Sequence, residues 1–198
     1  MEPKTACAAP PERHVLGMTA THVLNDFQLT EFPRRVLAMN EAQPGFADAF
    51  YAMEKLLVSK GGAAVVPMPE ELDSIQALLA HAEYERPLHV RTHILRKSAC
   101  HANSAKLWAE SLGQEKIWSG YALSMDGLWR QHSWARDERG IIETTEIRVA
   151  YFGVEMSFRD SVKMLIANCD VEEISPEVFQ SEFWGEVTAL LQQFTEQL

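Results

Sequence analysis

Apolar residues recur at three- to four-residue spacing over 22–40 and 45–59, the second carrying Phe46, Phe50, Met53, Leu56 and Leu57, so both stretches predict helices. Gly61 and Gly62 interrupt the period, and Val65, Val66 and Pro67 predict a short extended piece. Pro69, Glu70 and Glu71 then open a third helix bearing Leu72, Ile75, Leu78 and Leu79. The first half of the chain thus reads as helical, with a hinge expected around 61–69.

After Pro87 the pattern changes. The stretch 89–94 alternates weakly and predicts an extended segment. Ser98 offers an N-cap for a helix over about 99–112, which Gly113 ends. Three runs rich in aromatic and β-branched residues follow, at 117–124, 128–136 and 141–148. Asp126-Gly127 and then 137–140 separate them, which predicts hairpins and an antiparallel meander. Amphipathic helices are expected over 157–168 and 176–197, the second with Phe179, Phe183, Val187, Leu190, Leu191 and Phe194 on one face, covering the sheet. The fold class is α+β: a flexible tail at 1–17, then one domain over 18–198, helical over 18–85 and with a sheet-based core over 86–198.

Composition narrows the possibilities. With 198 residues and 46% hydrophobic content the chain can bury a real core. A net charge of −10 disfavours nucleic acid as a partner. It leans instead toward a neutral or cationic substrate. No apolar stretch near the N-terminus has the length of a signal peptide or membrane helix, so no membrane partner is expected and the location is read as cytoplasmic. Cys7, Cys100 and Cys169 are odd in number and far apart, which suits reduced thiols. Cys7 falls in the tail and Cys169 at a helix end, and neither has chemical surroundings of interest.

Cys100 does. Placed in the first turn of a helix, between Ala99 and His101-Ala102, its sulfur sits where backbone N–H groups stabilise a thiolate. The bland reading is a buried small hydrophobe. His132 lies mid-strand, where alternation puts Arg130, His132 and Trp134 on one face and Trp129, Gln131 and Ser133 on the other. Such a histidine is either a hydrogen-bonded core residue or a base facing a cleft. Glu143 lies on the strand hairpinned to it, where a carboxylate can orient the imidazole, or else pair with Arg130 or Arg148. Nucleophile, base and orienter would then be Cys100, His132 and Glu143.

In the order Cys, His, acid, the stretch 98–148 resembles the papain-like group that includes transglutaminase-like proteins and NlpC-type peptidases. His132-Ser133-Trp134, with Gly140 and Glu143-Thr144-Thr145, is similar to the His-x-Trp and Asp-x-Thr elements of transglutaminase-like domains. The intervals are 32 residues from Cys100 to His132 and 11 from His132 to Glu143. Glu stands here where that group has Asp, and His101 follows the cysteine. The resemblance implies a helix carrying the nucleophile, packed on an antiparallel sheet that carries base and orienter. It also implies a cysteine hydrolase or acyltransferase acting on a peptide, amide or isopeptide bond, with no cofactor.

Asn103 or Gln131 could supply an oxyanion donor beside the Cys100 N–H. Tyr121, Trp129 and Trp134 could line an apolar cleft or serve as core. Arg148 could clamp a substrate carboxylate or pair with Glu146. Two other classes remain in view. A metal site would draw on His89, His93, Cys100, His101 and His132. However, His89 and His93 would lie about 13 Å apart on an extended chain. A binding or scaffold protein would keep Cys100 as a structural residue and present its acidic helices to another protein.

Overall fold

The computed structural model describes residues 12–14 and 24–196. Cys7 and most of the expected tail lie outside them, as does the start of the first expected helix at 22–23. Residues 12–14, inside the stretch read as tail, form a strand, β1 (Glu12–His14).

Helix α1 (Asp26–Ala42) begins at a capping box in which Asn25 and Gln28 exchange side-chain-to-backbone hydrogen bonds. Next come α2 (Phe46–Ser59), β2 (Ala64–Val65) and α3 (Leu72–His81). The strands β3 (Glu83–Glu85) and β4 (His89–Thr92) lead to α4 (Cys100–Glu110). Then follow β5 (Lys116–Leu123), β6 (Leu128–Asp137), β7 (Gly140–Glu143) and β8 (Ala150–Glu155). The described chain closes with α5 (Phe158–Asn168) and α6 (Glu182–Thr195), the latter capped by the Ser181 hydroxyl.

The strands make one curled, half-barrel sheet in the order β1-β4-β7-β6-β5-β8-β3, and β2 adds to β6. The fold is therefore α+β. The hairpins β5–β6 and β6–β7 are antiparallel as expected, but β4 runs parallel to β7 and β2 parallel to β6, so the sheet is mixed rather than a pure meander. The stretch read as a hinge is tied down: Ala63 and Val66 donate to the carbonyls of Gly127 and Trp129, and the Trp129 indole donates to Gly61.

On one face Tyr121, Leu123, Trp129 and Phe152 pack against Phe46, Phe50, Met53 and Leu57 of α2 and Ile75 and Leu78 of α3. Further along the same face Ala135 and Ile142 meet Leu107 of α4, and Ile117 joins Ala105 and Trp108 in a cluster that α5 and α6 complete. The other face is filled by side chains of the sheet itself, Val90, Trp118, Ala122, Trp134, Ile141 and Tyr151. Burial of each such side chain contributes about 1.5–3 kcal/mol before ordering costs.

Two differences shape the site. The run read as a strand over 141–148 stops at Glu143, because the Glu143 carboxylate turns back to accept the N–H groups of Thr144 and Thr145, which replaces ladder hydrogen bonds with local ones. The other is β6, whose edge pairs with β2 as far as Trp129 and with β7 only from Ala135 onward. Between those points that edge is open, and there the cleft lies.

Candidate functional site

Helix α4 enters this gap N-terminus first. Its cap is Ala99 rather than Ser98; Ser98 has φ 58°, a left-handed conformation that non-glycine residues adopt sparingly. Ala99 has no side-chain oxygen to cap the first-turn N–H groups, and one of them, that of His101, bonds the Cys100 sulfur instead. Cys100, in that first turn, is half-buried.

Glu143, in register one step beyond the Ile142–Ala135 pair, lies diagonally across from His132 on the same face. The His132 Nε2 donates to the Glu143 oxygens at 2.9 and 3.2 Å, which leaves Nδ1 for Cys100. The same carboxylate accepts from Thr144 N, Thr145 N, Thr145 Oγ1 and the Tyr151 hydroxyl, at 2.9–3.0 Å. His132 and Glu143 are 1% and 0% exposed, so neither is a solvated surface group.

Electrostatics follow from this packing. Burial alone pushes the Glu143 carboxyl up, but the His132 imidazole and the Thr145 donors outweigh it and hold it below the usual carboxylate value. Burial would lower His132; the Glu143 carboxylate and the hydrogen bond with Cys100 overcome this and raise it to about 9. For Cys100, burial works against the thiolate, but His132 and the backbone N–H groups of Ser133 and His101 bring the thiol below its ordinary value. The Ser133 N–H reaches the sulfur because it belongs to the open edge of β6. These effects together favour a proton on the imidazole and a charge on the sulfur.

The cleft beside this group has a volume of about 700 Å³. Val66, Met68, Ile94 and Leu95 supply apolar wall, and Lys97, Arg130, Arg148 and Glu146 the charged rim. His101 lies on the other side of β6, with Nδ1 2.8 Å from the Ser133 hydroxyl.

Cys100, His132 and Glu143 are thus brought together. The weaker candidates separate. Gln131 lines the cleft, and its amide also bonds the Glu70 carboxylate. Trp134 is buried with its ring stacked 6.2 Å from the imidazole, making it a packing support for His132 rather than cleft lining. Tyr121 is removed from the site: it lies on the α2–α3 face, 0% exposed, and donates to Glu70 at 2.7 Å. Trp129 shares that face. Asn103 is corrected as an oxyanion donor, because its Nδ2 is committed to the carbonyls of Arg96 and Thr144, at 2.7 and 3.1 Å. It ties the loop before α4 to the loop after β7.

Thr145, the threonine of the stretch similar to Asp-x-Thr, donates to Glu143 through both its N–H and its hydroxyl. The Tyr151 hydroxyl arrives from β8, and no local sequence signal marks it. Arg148 does pair with Glu146, at 2.8 Å. Among the described residues no group of three or more His, Cys, Asp or Glu side chains could hold a metal ion, and no helix is long and apolar enough to cross a membrane. No family model matches the chain, and neither a curated protein nor a solved structure does.

Proposed function

We propose that the protein is a cysteine-dependent hydrolase or acyltransferase of papain-like type, acting on a peptide, amide or isopeptide bond. The observation that carries this reading is the buried His132–Glu143 pair, whose remaining imidazole nitrogen meets the Cys100 thiol at the mouth of a cleft. A histidine kept merely for packing needs neither a buried counter-ion nor a thiol partner.

The chemistry follows. The Cys100 sulfur attacks the acyl carbon, and the charge that develops on the carbonyl oxygen meets first-turn N–H groups of α4. Gln131 keeps a second amide N–H beyond the one given to Glu70 and can serve there too. Protonated His132 gives its Nδ1 proton to the departing amine as the C–N bond breaks, leaving a thioester. Water, or an acceptor amine, then loses a proton to Nδ1 and attacks the thioester, freeing the sulfur. Glu143 keeps the ring oriented and stabilises its charged form throughout.

The test is site-resolved alkylation with iodoacetamide, read by mass spectrometry. Cys100 is expected to react fastest of the three thiols at neutral pH, and His132→Ala to remove that advantage. Equal, slow labelling of all three thiols in the folded protein overturns the reading.

A further inference from the structure

We propose that the cleft selects a substrate whose acyl portion carries a carboxylate, and that Arg148 is the residue that reads it. This rests on the function proposed above and adds the class of substrate.

Three observations converge. The cleft gathers three cationic side chains, Lys97, Arg130 and Arg148, against one acid, Glu146, in a chain whose net charge is −10. Cations concentrated against the sign of the whole molecule attract an anion locally.

The second is the state of Arg148. It is 8% exposed, yet its Nε has no hydrogen-bond acceptor. Its Nη1 donates to the Ser124 hydroxyl and pairs with Glu146 at 2.8 Å. The Glu146 side chain is 68% exposed, and such an ion pair contributes little and is readily exchanged. A guanidinium that lines the cleft, with an unused N–H and an exchangeable partner, can take a carboxylate that displaces Glu146 and accepts two parallel hydrogen bonds from it. The Arg148 backbone N–H bonds the Tyr151 hydroxyl, which itself donates to Glu143, so the backbone of Arg148 is tied to the His132–Glu143 pair.

The third is the wall. Arg130 is held by Asp126 at 2.6 and 2.7 Å, which balances its charge and leaves Lys97 and Arg148 to attract the anion. Val66, Met68, Ile94 and Leu95 offer apolar surface for the aliphatic part of the same substrate. The chemistry is that of an acyl chain with a carboxylate a few atoms from the bond attacked. A peptide with a free C-terminus and a small dicarboxylic acid derivative share it.

Alkylation by iodoacetate against neutral iodoacetamide tests the idea, with N-acetylcysteine giving the intrinsic ratio of the two reagents. Cys100 is expected to favour iodoacetate by about tenfold over that ratio, with saturation, since a charge-assisted hydrogen bond contributes roughly 1.5–3 kcal/mol. Glutarate should compete and glutaramide should not. Protection by a short peptide with a free C-terminus, absent with its amide, would identify the peptide source; protection by glutarate alone, the small acid. In Arg148→Gln the preference should vanish while iodoacetamide still labels Cys100, and Arg148→Lys should recover part of it. A wild-type ratio equal to that of N-acetylcysteine, or one that survives Arg148→Gln, overturns the proposal. The wild-type arm stands alone should the variant not fold. Failure of Cys100 to react preferentially with either reagent would instead sink the cysteine-enzyme reading.

Discussion

His132 donates through Nε2 to Glu143 at 2.9 Å, with both side chains almost wholly out of solvent. A carboxylate can only accept, so this contact fixes which nitrogen carries the proton and which one faces Cys100. Replacing Glu143 by Gln keeps the shape and removes the charge. The His132 pKa should then fall and the Cys100 pKa should rise. Alkylation of Cys100 at neutral pH should slow as the thiolate fraction drops, by about tenfold if the thiol comes to titrate one pH unit higher. An unchanged rate and pH profile would show that Glu143 does not act on the thiol through His132.

The pair also makes stability depend on pH in both directions. The folded pKa of His132 is raised, to about 9, so its contribution is complete below the unfolded value of about 6.5 and is lost as pH climbs through 9. Glu143 is lowered in the fold, so its contribution is present above the ordinary carboxylate pKa and is lost as pH falls through the depressed one. On the alkaline side the lowered Cys100 thiol gains stability as His132 loses it, so the two largely offset each other in the native protein. In urea unfolding the decline should emerge in Cys100→Ser, at most about 1.4 kcal/mol per pH unit for one proton, and be flattened again in Cys100→Ser with His132→Gln. An unaltered alkaline limb in that double variant would contradict the raised imidazole.

Cys169 provides an internal contrast. Burial, with Glu173 next in effect, raises its thiol to about 11, and its Sγ lies 3.2 Å from the Ala102 carbonyl. At pH 7 it should be labelled far more slowly than Cys100, and its rate should still rise above pH 9, where that of Cys100 has levelled. The two profiles, followed peptide by peptide, should not overlay.

How far the sequence reaches is visible in β6. Its alternation correctly parts Arg130, His132 and Trp134 from Trp129, Gln131 and Ser133, because a strand has a strict period of two. The same parity, carried across to β5, places Tyr121 opposite Gln131 and thus away from His132. β8 is harder to read: four of its six residues are buried in succession, so the alternation that marks a half-buried strand is missing. The end of β7 at Glu143 and the use of Asn103 as a tie depend on where distant carbonyls and N–H groups meet in space. Local sequence does not encode that.

That tie carries its own consequence. Asn103→Ala removes two hydrogen bonds from a residue only 4% exposed; the Thr144 carbonyl keeps the Leu95 N–H, while the Arg96 carbonyl loses the amide donor. A loss of about 1–3 kcal/mol in unfolding free energy is expected. A variant of undiminished stability in urea would show that the amide is not a tie, and would reopen its assignment as a donor to the substrate oxygen.

Gly153 limits how closely β8 can approach the aromatic stack that supports His132. A Cβ there would stand 2.5 Å from the Ser119 carbonyl oxygen and 2.6 Å from the Trp134 ring, which packs against His132, Trp118 and Tyr151. Backbone cannot yield by that amount, so Gly153→Ala must part β5 from β8 or push the Trp134 indole toward the imidazole. Overpacking of this kind costs about 1–3 kcal/mol. If Trp134 is the support for His132, the damage should reach the site as well: Cys100 labelling should slow in protein that is still folded, and Trp134→Phe in the same chain should restore part of the rate by giving up ring volume. A Gly153→Ala protein with unaltered stability and labelling would show that the strands and the ring accommodate the methyl group elsewhere.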